Sequence, residues 1–304
     1  MQLNSLIRTK AQHRAATPTD IRKQYVFALF YKRIFGCQAS GWTLLGGNAL
    51  LARTGGGRFT QDVDLARAQT WESVDEIRNE LEPLLAADIG DSFRFTIRDI
   101  FEHDRRDEYG YGGRTVKVKL TAFLGNLEFE HFELDITQRR HVPEPVDHVR
   151  LTPVIVHETL DNLPLVPVVP IENHLADKIC ALYETHKNGP STRYRDLADI
   201  VRIVQDLEIR ADHLERMLDH ERGRRRLTLP TALESPGAQW DAAYPKAARE
   251  FAGFPVELHT LDSSLAVAGA CLDPVLSGAV SGAMWDPAEQ RWHTPNDTEA
   301  ATQQ

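Results

Sequence analysis

Asp62 and Asp64 stand one residue apart in "RFTQDVDLAR", and spacing of this kind is what a cation-binding site asks of a strand. Side chains alternate along a strand, so both carboxylates project from one face, about 7 Å apart along the chain. A chain of this length contains on the order of one Asp-x-Asp by chance, so spacing alone does not separate a metal pair from two surface aspartates at a strand end. Their context adds weight. Val63 and Leu65 flank them with buried-strand character, and a glycine-rich connection precedes them. A third acid, Asp135, interrupts the apolar strand end "FELDIT", where a lone carboxylate is costly to bury without compensation. Glu133 alternates with it, either as a substitute ligand or as a solvated side chain. Several carboxylates with water and phosphate oxygens suit Mg²⁺, and such sites serve phosphoryl and nucleotidyl transfer. Gly46 and Gly47 follow a short strand signal, and a glycine pair there lets backbone amides approach a triphosphate.

The elements that must position these groups are legible in part. "DIRKQYVFALFYKRIFG" predicts an N-terminal helix stopped at Gly36, "WTLLG" a short buried strand, and "ALLARTG" a helix that breaks at the glycines. Asp62 to Leu65 reads as a second strand, and "SVDEIRNELEPLLAA" as an amphipathic helix with Ser73 or Asp75 at its start. Three alternating runs, "SFRFTIRDI", "TVKVKLTAF" and "LEFEHFELDIT", predict three more strands around the polar, glycine-rich loop "FEHDRRDEYGYGGR". Together they make an α+β domain with a small mixed sheet, assigned to residues 1–155. After "HVPEPVDH" and "LPLVPVVPIENH" the pattern turns helical. "IENHLADKICALYETH" puts Ile171, Leu175, Lys178 and Leu182 on one side, and "YRDLADIVRIVQDL" puts Leu197, Ile200, Val201 and Val204 on one face. A mainly helical domain is expected over 156–292, and a disordered tail over 293–304.

Composition excludes several classes. The 304 residues, 42% hydrophobic and 26% charged, suffice for a substantial core and two domains. No apolar run approaches a membrane span and the first twenty residues lack a signal-peptide core, so a cytoplasmic protein is expected. Cys37, Cys180 and Cys271 are too dispersed for a disulfide framework and read as core thiols. "HETL" lacks the second His of an HExxH zinc site, the 12 histidines show no ligand spacing, and no GxSxG elbow is present. A net charge of -9 argues against indiscriminate nucleic-acid coating. Basic residues nevertheless cluster at Arg8, Lys10, Arg14, Arg22, Lys23, Lys32 and Arg33, and again in "RGRRR" at 222–226. Such clusters fit a selective anionic partner or a solvated face.

The run Gly46-Gly47, then Arg58-x-Thr60-x-Asp62-x-Asp64, resembles the first motif of the polymerase-β-like nucleotidyltransferases in the form used by AbiEii/AbiGii-type toxins. "DKICALYETHKNGPSTRYRDLADI" resembles that family's helical motif, with Lys178-Ile179 and Ser191-x-Arg193-x-Arg195-Asp196-x-x-Asp199. The chain is also similar in length and element order to the mycobacterial MenT toxins. Two departures stand out: Gly-Gly replaces the more common Gly-Ser, and Arg195 stands where Lys is frequent. The resemblance implies that Asp62, Asp64 and Asp135 bind Mg²⁺ or Mn²⁺, and that Gly46, Gly47, Arg58, Thr60, Lys178, Arg193 and Arg195 contact the NTP substrate. Asp196 is implied to position Lys178 or an arginine, or to assist the acceptor hydroxyl. It further implies a toxin neutralised by a cognate antitoxin, with the tRNA 3′ end as acceptor by analogy and the basic clusters on the RNA backbone. A protein hydroxyl or a small-molecule antibiotic is an alternative acceptor, and an inactive nucleotide- or RNA-binding module is the non-enzymatic alternative.

Overall fold

The computed structural model describes residues 3–14, 16–36, 41–56, 58–104, 114–138, 145–251 and 253–294. Cys37, Gly57, most of the loop at 101–114, the start of "HVPEPVDH" and nearly all of the expected disordered tail lie outside these residues. Two compact units divide the chain at Pro170 and Ile171.

The first unit opens with two helices, α1 (Leu3–His13) and α2 (Pro18–Phe35). A capping box between Thr17 and Asp20 starts α2, with Pro18 at its first position, and Gly36 closes it. Strand β1 (Trp42–Leu44), helix α3 (Gly46–Thr54), strand β2 (Val63–Arg67) and helix α4 (Val74–Ala86), capped by Ser73, come next. The long strands β3 (Phe93–Asp104), β4 (Arg114–Leu124) and β5 (Leu127–Gln138) form an antiparallel meander. Two short strands, β6 (Asp147–Arg150) and β7 (Leu165–Val168), complete a seven-stranded mixed sheet of order β3-β4-β5-β2-β1-β7-β6. β2 runs parallel to β5, and β7 parallel to β1.

This sheet is larger than the sequence suggests, and it continues past the point near 150 where the sequence changes character. β6 and β7 are each four residues long and β7 contains Pro167, so neither shows a strand signature on its own. They exist because β1, buried on both faces, needs a neighbour on its far side: Val169 N–H donates to the Leu44 carbonyl at 3.1 Å.

Helix α2 is buried nearly all round and packs its aromatic residues on the sheet. Phe27 and Phe30 meet Phe132 edge to face with centroids 5.2 and 5.6 Å apart, and Tyr25 meets Phe93 at 5.7 Å. The basic N-terminal segment proves to be partly internal. Arg33 is buried, donates to both carboxylate oxygens of Asp91 at 2.7 and 2.8 Å, and stacks over Phe95. Lys32 donates to the carbonyls of Thr159 and Asp161, and Arg14 to that of Gly55. Much of this charge therefore ties the fold together, and the segment is not one open basic patch.

The second unit is built from α5 (Ile171–Leu182), α6 (Tyr194–Asp206), α7 (Ala211–Arg225), α8 (Trp240–Ala248) and α9 (Leu261–Leu276). A two-stranded ribbon, β8 (Thr185–His186) with β9 (Gly189–Pro190), joins α5 to α6. A three-stranded sheet of β10 (Ile209–Arg210), β11 (Met284–Asp286) and β12 (Arg291–His293) lies among the helices. Cys180 and Cys271 are free thiols in its interior, and burial raises the Cys180 pKa to about 12.

Candidate active site

Helix α3 begins on the glycine pair itself, not after it. Gly46 has φ +61, a conformation open to glycine, and a Cβ there would overlap Oδ2 of Asp64 and come within 2.9 Å of its Cγ. A Cβ on Gly47 would stand 2.6 Å from Cγ2 of Thr60 and 3.3 Å from Nη2 of Arg58. Both glycines are therefore required by close approach, and the motif's four polar residues gather round the first turn of one helix. Backbone bonds fix the arrangement. Leu45 N–H donates to the Asp64 carbonyl at 2.9 Å, and the buried Asn48 side chain donates to the Asp62 carbonyl at 2.8 Å. Asn48 is a positioning residue that sequence reasoning misses; its place one residue after the glycines is the available signal.

Asp62 lies one residue before β2, exposed, where the sequence suggested the strand already began. Asp64 is within β2, half-buried, and its Cα pairs with that of Asp135 on β5. Paired positions on adjacent strands share a face with Cβ atoms about 5 Å apart, so Asp135 joins Asp64 by register. Asp135 is 6% exposed and lies 3.4 Å from Nζ of Lys117, whose position on β4 pairs with it in turn. Lys117 also donates to Glu133 at 2.7 Å, so Glu133 is engaged by a lysine. Burial works against the Lys117 charge, but Glu133 and Asp135 raise its pKa. The hydroxyl of buried Thr60 has no hydrogen-bond partner among the described residues.

Three carboxylates on one sheet face, beside a helix N-terminus that begins on two glycines, form an oxygen-only donor set next to backbone amides of a kind that can receive an anion. The oxygens of Asp62, Asp64 and Asp135 are not gathered within 4.8 Å of one another, as expected for like charges of which one is drawn to Lys117. Among the described residues the trio that does gather is Asp286, Glu289 and His293, in the hairpin of β11 and β12. It holds one histidine with two acids, a grouping that the spacing of histidines alone does not address. Arg291 bonds both Glu289 and His293 there, at 2.6 and 3.3 Å, so the cluster is a charge network already answered by a cation.

Expected result for the glycine cradle: Gly46→Ala lowers stability by about 1–3 kcal/mol, through the positive φ and displacement of the Asp64 carboxylate. Denaturant unfolding of the variant beside the wild type checks the loss.

The helical motif forms a second constellation. Lys178, 4% exposed on α5, donates to Oδ1 of Asp196 and to Oδ2 of Asp199, both on α6 and both at 2.7 Å. Burial disfavours the ammonium, but the two carboxylates outweigh it and raise the Lys178 pKa. Asp196 also pairs with Arg193 at 2.8 Å, whereas Arg195 is exposed and pairs with Glu250. Of the two arginines, Arg193 thus belongs to the Lys178 cluster and Arg195 is directed elsewhere. Asp199 stands in the sequence motif without an assigned role; its position three residues after Asp196 is the signal that could have given it one. The cluster "RGRRR" is also divided: Arg225 is buried among Asp177, Glu184 and Glu221, and Arg222 pairs with Asp219. It is not a continuous basic surface.

One turn before Lys178, His174 is 5% exposed, its Nδ1 without a partner, and burial together with Lys178 pushes its pKa down to about 3. Between about pH 3 and pH 6.5 the unfolded chain binds a proton here that the folded chain does not. Stability therefore rises with pH across that window, and this group lowers it by about 2 kcal/mol on going from pH 7 to pH 5. His174→Gln removes that part of the slope, read as the difference between the two proteins in urea unfolding at the two pH values.

A family model described as the nucleotidyl transferase AbiEii toxin of type IV toxin–antitoxin systems matches residues 32–267. Among solved structures, the chain is similar to MenT4, a nucleotidyltransferase toxin from Mycobacterium tuberculosis H37Rv, with 18% identity over 96% of this chain and 100% of that one, at a TM-score of 0.52. It is also similar to JHP933 from Helicobacter pylori, with 14% identity over 93% and 98% of the two chains and a TM-score of 0.46. No curated protein matches the chain at a comparable level. No helix among the described residues is long and apolar enough to cross a membrane.

Proposed function

Because the chain belongs to the AbiEii nucleotidyltransferase toxin family of type IV toxin–antitoxin systems, we propose that it transfers NMP from an NTP to the 3′ end of tRNA and so blocks translation. The observation that carries the reaction type is the contact between the Asp64 carboxylate and Gly46. That contact supports the reading because it sets a carboxylate suited to a cation beside backbone amides suited to phosphate.

Asp62, Asp64 and Asp135 would hold Mg²⁺, which the oxygen-only donor set fits, with Mn²⁺ as a substitute. Bound there, the ion supplies charge neutralisation at the reacting phosphate. The amides of Gly46 and Gly47 and the side chains of Arg58 and Thr60 receive the triphosphate oxygens. The acceptor oxygen forms a bond to the α-phosphorus as the bond to the bridging oxygen breaks. The electron pair leaves with pyrophosphate, and the hydroxyl proton passes to a carboxylate or to water. In the second unit Lys178 fixes Asp196 and Asp199. Asp196 positions Arg193 as well as Lys178. A cytoplasmic location and a separately encoded antitoxin complete the reading.

Purified protein incubated with total tRNA, Mg²⁺ and each α-labelled NTP in turn, beside Asp62→Ala, tests it. Label on tRNA that the mutant loses supports the reading and names the nucleotide. Label only on protein or on a small-molecule acceptor overturns the tRNA assignment, and full growth arrest by Asp62→Ala overturns catalysis as the basis of toxicity.

A further inference from the structure

The register of the long strands extends the carboxylate site into a larger surface. Cross-strand partners share a face, so Asp64, Asp135, Lys117 and Phe101 form one row across β2, β5, β4 and β3. Glu133, Lys119 and Asp99 form the next row, with Asp62 at its β2 end. The irregularity in pairing between Ile97 and Asp99 adds Arg98 to the edge. A groove of about 760 Å³ borders the second of these rows, lined by Asp62, Glu133, Lys119 and Asp99 and by Arg98 and Lys23, with the Phe101 row beside it.

Its charge is graded along its length. Carboxylates stand at the β2 and β5 end, where Lys117 answers Glu133 at 2.7 Å, and farther out on β3 Asp99 is answered by Lys119 at 3.8 Å. Arg98 is exposed and makes no ion pair among the described residues. The Lys119 ammonium lies 5.3 Å from the centroid of the Phe101 ring. Cations interleaved with an aromatic ring suit single-stranded nucleic acid, because bases stack on the ring while the cations follow the backbone. A cationic acceptor would meet Arg98 and Lys119 on entry.

Direction follows from in-line displacement, in which attacking and leaving oxygens are on opposite sides of the phosphorus. The glycine cradle of α3 takes pyrophosphate on the β1 side of the carboxylates, so the acceptor enters from the β5 side. We propose that the face formed by Arg98, Lys119 and Phe101 holds the single-stranded nucleotides just behind the acceptor's 3′ terminus, an inference that rests on the tRNA reading above. Three strand spacings, about 14 Å, separate β3 from β2, roughly four stacked nucleotides at about 3.4 Å each.

The test uses full-length protein, labelled NTP, and RNA titrated at several salt concentrations, comparing wild type with Arg98→Glu, Arg98→Glu/Lys119→Glu and Phe101→Ala. Expected for the double variant is an RNA KM raised at least about tenfold, with the NTP KM unchanged. The slope of log kcat/KM against log salt should fall by about 0.7 for each phosphate that the variant no longer neutralises. Arg98→Lys and Phe101→Trp should retain wild-type behaviour. Arg98→Glu alone guards against misfolding, since the native side chain is exposed and holds no ion pair. Wild-type labelling of RNA with unchanged RNA KM and salt slope in Arg98→Glu and the double variant overturns this inference and leaves the transferase reading standing. Failure of wild type to label RNA, with labelling of a cationic small molecule, overturns the tRNA reading and this inference together.

Discussion

Asp64→Asn is expected to lower the rate of nucleotidyl transfer at least about a thousandfold while leaving the protein folded. Asn keeps the shape that fits against Gly46, so the glycine cradle and the pairing of β2 with β5 survive. What disappears is one of three charges in an oxygen-only donor set, and hard cations bind such sets through charge. Without divalent ion, the unfolding midpoint should hold or rise slightly, because removing a carboxylate relieves repulsion from Asp62 and Asp135. In wild type, added Mg²⁺ should raise the midpoint by mass action, and this rise should vanish in the variant. Thermal unfolding with and without Mg²⁺ checks the binding claim, and single-turnover labelling checks the chemistry. A variant that retained more than a tenth of the wild-type rate would remove Asp64 from the ligand set.

Lys178→Met carries the largest expected effect on stability, about 3–5 kcal/mol. Met fills most of the aliphatic volume but strands two carboxylates, Asp196 at 7% exposure and Asp199 at 2%, without the ammonium that links them. A buried pair is weak evidence of net stabilisation, because desolvation offsets much of the attraction; losing one partner is what costs most. The triple variant Lys178→Met/Asp196→Asn/Asp199→Asn should therefore recover a large share of the loss. Additive losses instead of recovery would show that the three side chains do not act as a coupled unit. Denaturant unfolding of the single and triple variants decides the matter without reference to activity.

The most regular elements are legible in the sequence because their signals are local. The spacing of Ile21, Tyr25 and Leu29, the alternation in the three meander strands and the apolar faces at Leu175 and Leu197 each show within one turn or a few strand residues. Helix α7 is hidden because its exposed face is so densely charged that Leu214, Met217 and Leu218 do not stand out. Helix α1 is hidden similarly: Ile7 and Ala11 are its buried residues among polar ones. β6 and β7 are invisible because they are strands only by virtue of their partners.

For the site, residue types and spacing alone determined the chemistry on offer: an Asp-x-Asp pair, a third carboxylate, a glycine pair and a lysine followed by an acidic helical motif. Those are properties of short segments, where covalent neighbours and strand or helix period fix which groups share a face. Only the tertiary structure decided the rest. It set Asp135 beside Asp64 through parallel pairing of strands far apart in the chain, engaged Glu133 with Lys117, buried Arg33 against Asp91 and enclosed Arg225 among carboxylates. It also separated Arg193 from Arg195 and aligned Phe101 and Lys119 in rows leading to the carboxylates. The reason is physical: a charge is a ligand, a tie or a solvated face according to what is packed opposite it, and register and burial are long-range outcomes of folding.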